Sequence, residues 1–421
     1  MTLNRKYWLT SGMAVTAAAL LAACSSGSSS TPSTPASSTP ASSAAASSTP
    51  ASSTAASSAP ASSAPASSAS AGSSAPASGL ALAQQTVAKL EAATSSYPVP
   101  ASSVAGVSKL KGKTVYYVPV IQDAPTFTVA ADAMKQALAA AGLKLQVCNG
   151  QAQPTAVAAC VQLATTAGAA GIVLDAIPYG MAYSALNAAA AKGIPILIAD
   201  QVPDPASTPN TDKVSYLPGA QDMASQIAWW TIADSGGKAN GIIAEEIDNP
   251  SSIAAVTDSL AIYKQNCPAC VMTVKKISAT TTNLEASAAS ADLLADPSAT
   301  YFYTEFEDSL QPTVQGIQQS GRSGISLSVA AGTVGGLGLL KTGSLVKAVV
   351  VADEVYEGWA LTDEILRMAT KTAPVNETIP TRLFTKNNIG SIQVTTDAQA
   401  SGAWFGDNSF ESQFAKLWGV S

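Results

Sequence analysis

From Thr114 onward the chain repeats one pattern: a short and almost wholly apolar run, a polar break, then apolar residues at helical spacing. Residues 114–120 read as a strand rich in β-branched and aromatic side chains. Residues 129–141 follow as a helix, with Ala130, Met134, Ala137, Leu138 and Ala141 on one face and Gly142 as its stop. A strand over 143–147 leads to a helix that opens on Pro154 and aligns Val157, Cys160, Val161 and Ala164. A strand over 171–177, a helix over 181–191 and a strand over 194–199 complete the first set. The alternation then runs again, with helices over 220–233, 253–264, 284–294, 311–319 and 356–369. The strands of this second set fall at 241–244, 271–277, 300–303, 325–329, 348–351 and 381–384, and a Gly-rich stretch after 329 reads as a loop over the second lobe. Strands without a polar face must be covered on both sides, which predicts parallel sheets sandwiched between helices. Two sets predict an α/β fold of two doubly wound lobes. Ligands of such sheets lie beyond the carboxyl ends of the strands, so two facing lobes place the expected site in the cleft between them.

The chain ahead of this pattern is different in kind. Residues 80–93 predict a short helix, broken by Pro98 and Pro100. Residues 25–78 are almost entirely Ser, Ala, Pro and Thr, with no charge and no large apolar side chain. Such a tract cannot bury enough surface to offset chain entropy and is expected to be a disordered tether or an O-glycosylated stalk. At the start, Arg5 and Lys6 precede an apolar run over 13–23 that is too short for a permanent membrane span. The run ends in Leu21-Ala22-Ala23-Cys24, which resembles the bacterial lipobox. That resemblance implies a signal peptide over 1–23, diacylglycerol on the Cys24 thiol, and a protein held on the outer face of the cell membrane. The expected organisation is then a tether over 24–79 and a helical extension over 80–112. Lobe 1 is expected from 113–215 and 353–375, and lobe 2 from 216–352 and 376–421.

Composition narrows the chemistry. The net charge is −6, which argues against a nucleic-acid partner, because that binding neutralises phosphates with cations. There is no histidine, so His-dependent triads and His-based zinc sites are excluded. Chemistry run by carboxylates alone stays open. Gly335 to Thr342 reads G-x-x-x-x-L-K-T, with leucine where a P-loop needs glycine, and Gly336-Leu337-Gly338 lacks the third glycine of a dinucleotide fingerprint. No cofactor, metal site or enzymatic activity is expected.

The order of segments resembles the type I periplasmic binding proteins, and within them the ribose-binding group of sugar receptors. Three stretches carry the resemblance: Val115-Tyr116-Tyr117-Val118-Pro119 through Phe127; Gly171-Ile172-Val173-Leu174-Asp175 with Gly193-Ile194-Pro195-Ile196-Leu197-Ile198-Ala199-Asp200; and Tyr356-Glu357-Gly358-Trp359-Ala360 with Asp363. It spans about 111 to 386 and implies three crossings between lobes, near Ser215, Ala352 and Val375. Repressors of the Lac type share the fold but carry a helix-turn-helix head, where this chain has an export signal. The resemblance implies a lipoprotein that captures a small polar solute, a sugar or polyol, and works as a monomer with an ABC permease and its ATPase. A ligand-sensing receptor that feeds a membrane signalling partner is the alternative.

Hydroxyl-rich solutes ask for stacking rings and for carboxylates or amides that take paired hydrogen bonds. The loop after the first strand offers Gln122, Asp123 and Phe127, and the resemblance puts Phe127 where the family has a stacking aromatic. Asp200 closes an apolar strand at its carboxyl end, where the family has an aspartate. Gln201 stands where ribose receptors have an arginine. Tyr179 is a second stacking candidate. Asp248 and Asn249, with Glu245 and Glu246 just before them, follow one strand of lobe 2; Glu305 and Glu307 follow another. Ala331 and Ala352 replace two polar groups of the family, and the chain holds only four arginines. An acidic cleft poor in arginine disfavours phosphates and carboxylates as ligands. Trp359 reads as helix core. The cysteines after Cys24 are Cys148, Cys160, Cys267 and Cys270, which allow three pairings in an oxidising exterior. A local Cys148–Cys160 link is plausible on position. Cys267-Pro268-Ala269-Cys270 has redox spacing, but it ends a helix, which favours a structural bridge over a thiol–disulfide oxidoreductase.

Overall fold

Residues 78–203, 205, 213–343, 345–375 and 377–420 are described in this computed structural model. The expected signal peptide, Cys24 and the Ser/Ala/Pro tract through residue 77 lie outside the described residues. Lobe 1 is built on a five-stranded parallel sheet of order β2-β1-β3-β4-β5. Its strands are β1 (Thr114–Pro119), β2 (Lys144–Val147), β3 (Gly171–Asp175), β4 (Ile196–Ala199) and β5 (Val214–Leu217). Lobe 2 holds a six-stranded sheet of order β11-β10-β9-β8-β6-β7, in which only β11 runs antiparallel. These strands are β6 (Asn240–Glu246), β7 (Val271–Ile277), β8 (Tyr301–Thr304), β9 (Ser326–Val329), β10 (Val346–Ala352) and β11 (Thr381–Thr385).

Each sheet separates two apolar clusters, as strands without a polar face require. In lobe 1 one cluster lies under α3 (Pro154–Thr166) and α4 (Tyr183–Ala191). The other lies under α2 (Pro125–Ala140) and α10 (Glu354–Thr370). Helix α10 is buried from Glu354 through Arg367, on every side and not along one stripe. It fits because Gly358 lets the α2 backbone come close: an added Cβ there would lie 2.5 Å from the Ala133 Cβ and 2.7 Å from the Ala130 carbonyl oxygen. In lobe 2, α5 (Met223–Asp234) and α6 (Pro250–Asn266) cover one face, and α7 (Glu285–Ala295) and α8 (Glu307–Gln319) the other.

Three readings from sequence are corrected. The Gly-rich stretch expected as a loop is a helix, α9 (Val334–Thr342). Its propensity is poor, but its first turn is capped by the Thr333 hydroxyl and by both oxygens of Glu307, which accept from the Thr333 and Gly336 N–H groups at 3.0 and 2.6 Å. The crossing out of lobe 1, expected near Ser215, comes after Leu217, because Val214–Leu217 form the fifth strand of its sheet. The tail, assigned throughout to lobe 2, divides. The short α11 (Thr396–Ala400) packs in lobe 2, while α12 (Ser409–Leu417) lies on α10 and α2 in lobe 1. The cause is aromatic. Phe410, Phe414 and Trp418 recur at helical spacing and stack on Tyr356 and Trp359, with the Trp359 and Trp418 rings 5.6 Å apart and nearly parallel.

The N-terminal extension is likewise shared. Helix α1 (Gly79–Leu90) packs on α5, α6 and β11 of lobe 2, whereas Tyr97, Val99, Val104, Val107 and Leu110 join lobe 1. The chain therefore crosses between lobes five times: after α1, after β5, before α10, after α10, and again between Phe405 and Phe410. The first and last crossings are paired. The Thr94 N–H donates to the Phe405 carbonyl at 2.9 Å, and Arg382 donates to the carbonyls of Glu91 and Trp404 at 3.1 and 2.6 Å. On the lobe 1 side Arg367 donates to Asp363 at 2.5 Å and to the Ser102 carbonyl at 2.8 Å, and the Trp418 indole donates to Asp363 at 2.6 Å. Of the three possible cysteine pairings, the structure has Cys148–Cys160 and Cys267–Cys270.

Removing the Trp418 ring takes away a buried stack and the Asp363 donor together. Trp418→Ala is expected to cost about 3–5 kcal/mol, in the range of large core truncations, read as a lower denaturation midpoint in guanidinium.

Candidate functional site

The carboxyl ends of the strands collect the polar residues in both lobes. In lobe 1, β3 ends at Asp175 and β4 leads straight into Asp200. The backbone turns sharply after these strands: Ala176 and Asp200 take left-handed φ values of 53° and 54°. Such conformations cost about 1–3 kcal/mol at a non-glycine residue and are kept where the surroundings impose them. Gly219 shows what is imposed here, because a Cβ at that position would lie 1.7 Å from Asp200 Oδ1. The Asp200 N–H is held by the Leu217 carbonyl at 2.9 Å.

Helix α10 then adds Glu354 and Glu357 from its first turn. One carboxylate oxygen each from Asp175, Asp200 and Glu357 lie within 4.8 Å of one another. The Tyr117 hydroxyl donates to Asp175 Oδ2 at 2.5 Å. Burial pushes Asp175 up to about 6, against the lowering effect of its hydrogen bonds. Burial first, and then the Glu357 and Asp175 charges, lift Asp200 well above the usual carboxylate range. Glu357 and Glu354 are raised in the same way by burial and by their acidic neighbours.

Across the cleft, β6 ends in the buried pair Glu245 and Glu246, and β8 leads into buried Glu305. Glu305 Oε2 accepts from the Glu246 N–H at 2.7 Å. Burial lifts Glu305 from 4.5 to about 8, and burial with the Asp308, Glu285 and Asp248 charges lifts Glu246 to about 7. The lobes touch where the Val202 N–H donates to Ser251 Oγ at 2.9 Å, joining the end of β4 to the first turn of α6.

The residues singled out from sequence separate into several environments. Asp200 stands in the cluster just described. Gln201 is buried, with neither end of its carboxamide hydrogen-bonded. Gln122 and Phe127 are half-buried beside the β1 end and Asp123 is exposed there; the Gln122 N–H donates to Asn149. Asn249 caps α6 by accepting from the Ser251 N–H at 3.0 Å, and Asp248 accepts from the Ser278 hydroxyl. Tyr179 is not a cleft residue. It is buried in the lobe 1 core, edge-on to Tyr183, with its hydroxyl on Asn187 at 2.9 Å. Glu307 is not free to meet a ligand either, since both of its oxygens cap α9. Sequence reasoning passed over Asp175, Glu354 and Glu357 as site residues. The signal was present in Asp175, an acid closing an apolar strand as Asp200 does, and in two acids three apart at a helix start.

No arginine serves the cleft among the described residues. Arg322 is spent on four backbone carbonyls, Arg367 on Asp363 and Ser102, and Arg382 on Glu91 and Trp404.

No protein-family profile and no curated protein sequence matches the chain. Solved structures do match. A 5-methylthioribose transporter solute-binding protein from Thermotoga lettingae, in complex with 5-methylthioribose, superposes with a TM-score of 0.60 at 14% identity, over 73% of this chain and 99% of that one. A glucose-galactose binding protein from Geobacillus stearothermophilus gives 0.59 at 17%, over 66% and 99%. A carbohydrate transporter from Acidothermus cellulolyticus, in complex with myo-inositol, gives 0.55 at 16%, over 69% and 99%. The fold is that of the type I periplasmic binding proteins of sugar transporters.

Glu305 links the site to pH. It holds its proton up to about 8 in the folded chain and only to about 4.5 when unfolded, so the folded state binds more protons between those values. The stability this contributes is complete below the unfolded value and is lost as pH rises through the folded one. Tm is expected to fall between about pH 5 and pH 9, and to fall less steeply in Glu305→Gln, by calorimetry across that range.

Proposed function

We propose that this chain, having the fold of sugar-transporter binding proteins, is an exported lipoprotein that captures a small uncharged polyhydroxy solute between its lobes and delivers it to an ATP-driven permease. What supports this is that the strand ends of both lobes carry acids, Asp200 near Gln122 and Asp123 in one and Glu305 near Asp248 in the other, that the Val202 N–H of lobe 1 reaches Ser251 Oγ of lobe 2, and that solved structures of this fold hold sugars and polyols. Carboxyl groups that keep their protons, like carboxamides, both donate to and accept from neighbouring hydroxyls, and the half-buried Phe127 ring suits a C–H face. The engagement of every described arginine elsewhere supports a neutral solute over a phosphate or a carboxylate. Capture and release breaks no bond. Anchoring rests on Leu21-Ala22-Ala23-Cys24, and the described residues contain no helix long and apolar enough to cross a membrane.

A thermal-shift screen of sugars, polyols and sugar phosphates tests the reading. A neutral polyhydroxy ligand at one hundred times its Kd is expected to stabilise the protein by about 2.7 kcal/mol. Sugar phosphates should do nothing, and Asp200→Ala should abolish the response. No stabilisation by any neutral sugar or polyol would refute capture. For the anchor, Cys24→Ser is expected to move the protein from the membrane fraction to the medium; retention in the membrane counts against lipidation.

A further inference from the structure

Of the two disulfides in the structure, Cys267–Cys270 does less as a staple. It joins residues at a sequence separation of 3, against 12 for Cys148–Cys160, and the entropy that a link removes from the unfolded chain falls as the loop shortens. Its ends are also held together by backbone. The Cys270 N–H donates to the Cys267 carbonyl at 2.9 Å, and the Cys267 N–H donates back into α6, to the Tyr263 carbonyl at 2.8 Å. One side of the bridge is open. A hollow of about 330 Å³ runs along it, lined by Leu260, Tyr263, Lys264 and Met272 together with both cysteines, and this is room for a small thiol or a thiol-bearing side chain. Cys267 is 3% exposed, whereas Cys270 is half-buried and is the more open of the pair. What the turn supports is the start of α1. Asn266 is the last residue of α6 and the neighbour of Cys267, and it lies so close under α1 that a Cβ at Gly79 would collide with its carbonyl. One turn farther, Ala83 is buried in the same apolar cluster as Tyr263 and Cys267, with Val87, Leu90 and Cys270 packed against it.

We infer that the Cys267–Cys270 bridge is a redox switch: a dithiol reductant entering the hollow opens it at Cys270, and the opened turn loosens the seat of α1 on lobe 2. One thiolate of the dithiol attacks Cys270 Sγ, the bond to Cys267 breaks, and Cys267 leaves as a thiolate that takes up a proton. The second thiol of the reductant, also as a thiolate, then displaces Cys270 from the mixed disulfide, and Cys270 takes up the other proton. The dithiol ends as a disulfide and the bridge as two thiols. The resting state follows from position. The bridge stands at the carboxyl-terminal end of α6, whose negative pole opposes a thiolate, so the reduced form is not favoured there and the bridge does not act as an oxidant of other proteins. Because α1 leads into the first crossing between the lobes, the state of the bridge sets how firmly lobe 2 holds that connection.

Amide hydrogen exchange of the full chain, followed by mass spectrometry with and without dithiothreitol, tests the switch, and alkylation identifies which cysteines have opened. Opening of Cys267–Cys270 is expected to speed exchange over residues 79–90 about tenfold or more, while α10 stays protected. Cys267→Ser with Cys270→Ser is expected to show the fast α1 exchange without reductant and no further response to it. Cys148→Ser with Cys160→Ser, in which dithiothreitol has only the other bridge to act on, is expected to keep the response. Near-UV circular dichroism reports whether each sample is folded, and if a serine variant is not, the wild type decides alone. The inference is overturned if the bridge stays closed in excess dithiothreitol while the protein is folded, or if it opens and α1 exchanges at the oxidised rate. No sugar enters the measurement, so its outcome is independent of the capture reading.

Discussion

Where α10 crosses α2, the side chain missing at Gly358 lets two helix backbones approach within van der Waals contact. Much of the molecule is positioned from that contact. The same helix lies so close to β3 that a Cβ at Gly171 would lie 2.5 Å from Ile365 Cγ1. Pinned on both sides, α10 carries Glu354 and Glu357 to the ends of β3 and β4 at its start. Farther along it offers Tyr356 and Trp359 to the aromatic residues of α12, and near its end Asp363 and Arg367 to the tail and the N-terminal extension. Cleft chemistry and interlobe connections thus share one support.

The electrostatics follow from what the chain lacks. With no histidine and with its described arginines engaged elsewhere, the strand ends of both lobes carry acids and almost no bases. Such acids keep their protons, take a cation, or accept from ligand hydroxyls. The lobe 2 group around Glu305 is in part satisfied by backbone, through the Glu246 N–H. The lobe 1 group around Asp200 has one tyrosine and each other. The same residue type therefore faces two different demands on either side of one cleft.

Most of the architecture was legible because apolar strands and amphipathic helices leave strong local periodicities. The failures have local causes too. Strand β5 is only half-buried along most of its length, so its pattern is faint. Helix α9 owes its existence to Glu307, which is distant in sequence, and no local rule registers that. The placement of α12 depends on which lobe offers an aromatic surface, and amphipathicity alone does not name the lobe. In the site, Asp200 was legible from its place at a strand end. Tyr179 shares the residue type of a stacking platform, but its neighbours in the fold are core. Asp175 and Glu357 lie more than 180 positions apart, and only the packing of α10 on the sheet reveals them as one group.

The paired crossings at Thr94 and Phe405 bear on the energetics of the capture proposed above. A hinge with three connections leaves a wide range of open conformations, and a ligand that requires the closed one binds more weakly by the fraction of molecules already competent. Two further connections, joined to each other and to the hinge through Tyr97 on Asp353, remove part of that range before any ligand arrives. If the part removed lies on the open side, less of the intrinsic affinity is consumed in selecting the closed shape. On such a hinge a cleft of modest contacts holds a solute as firmly as a richer cleft on a looser one.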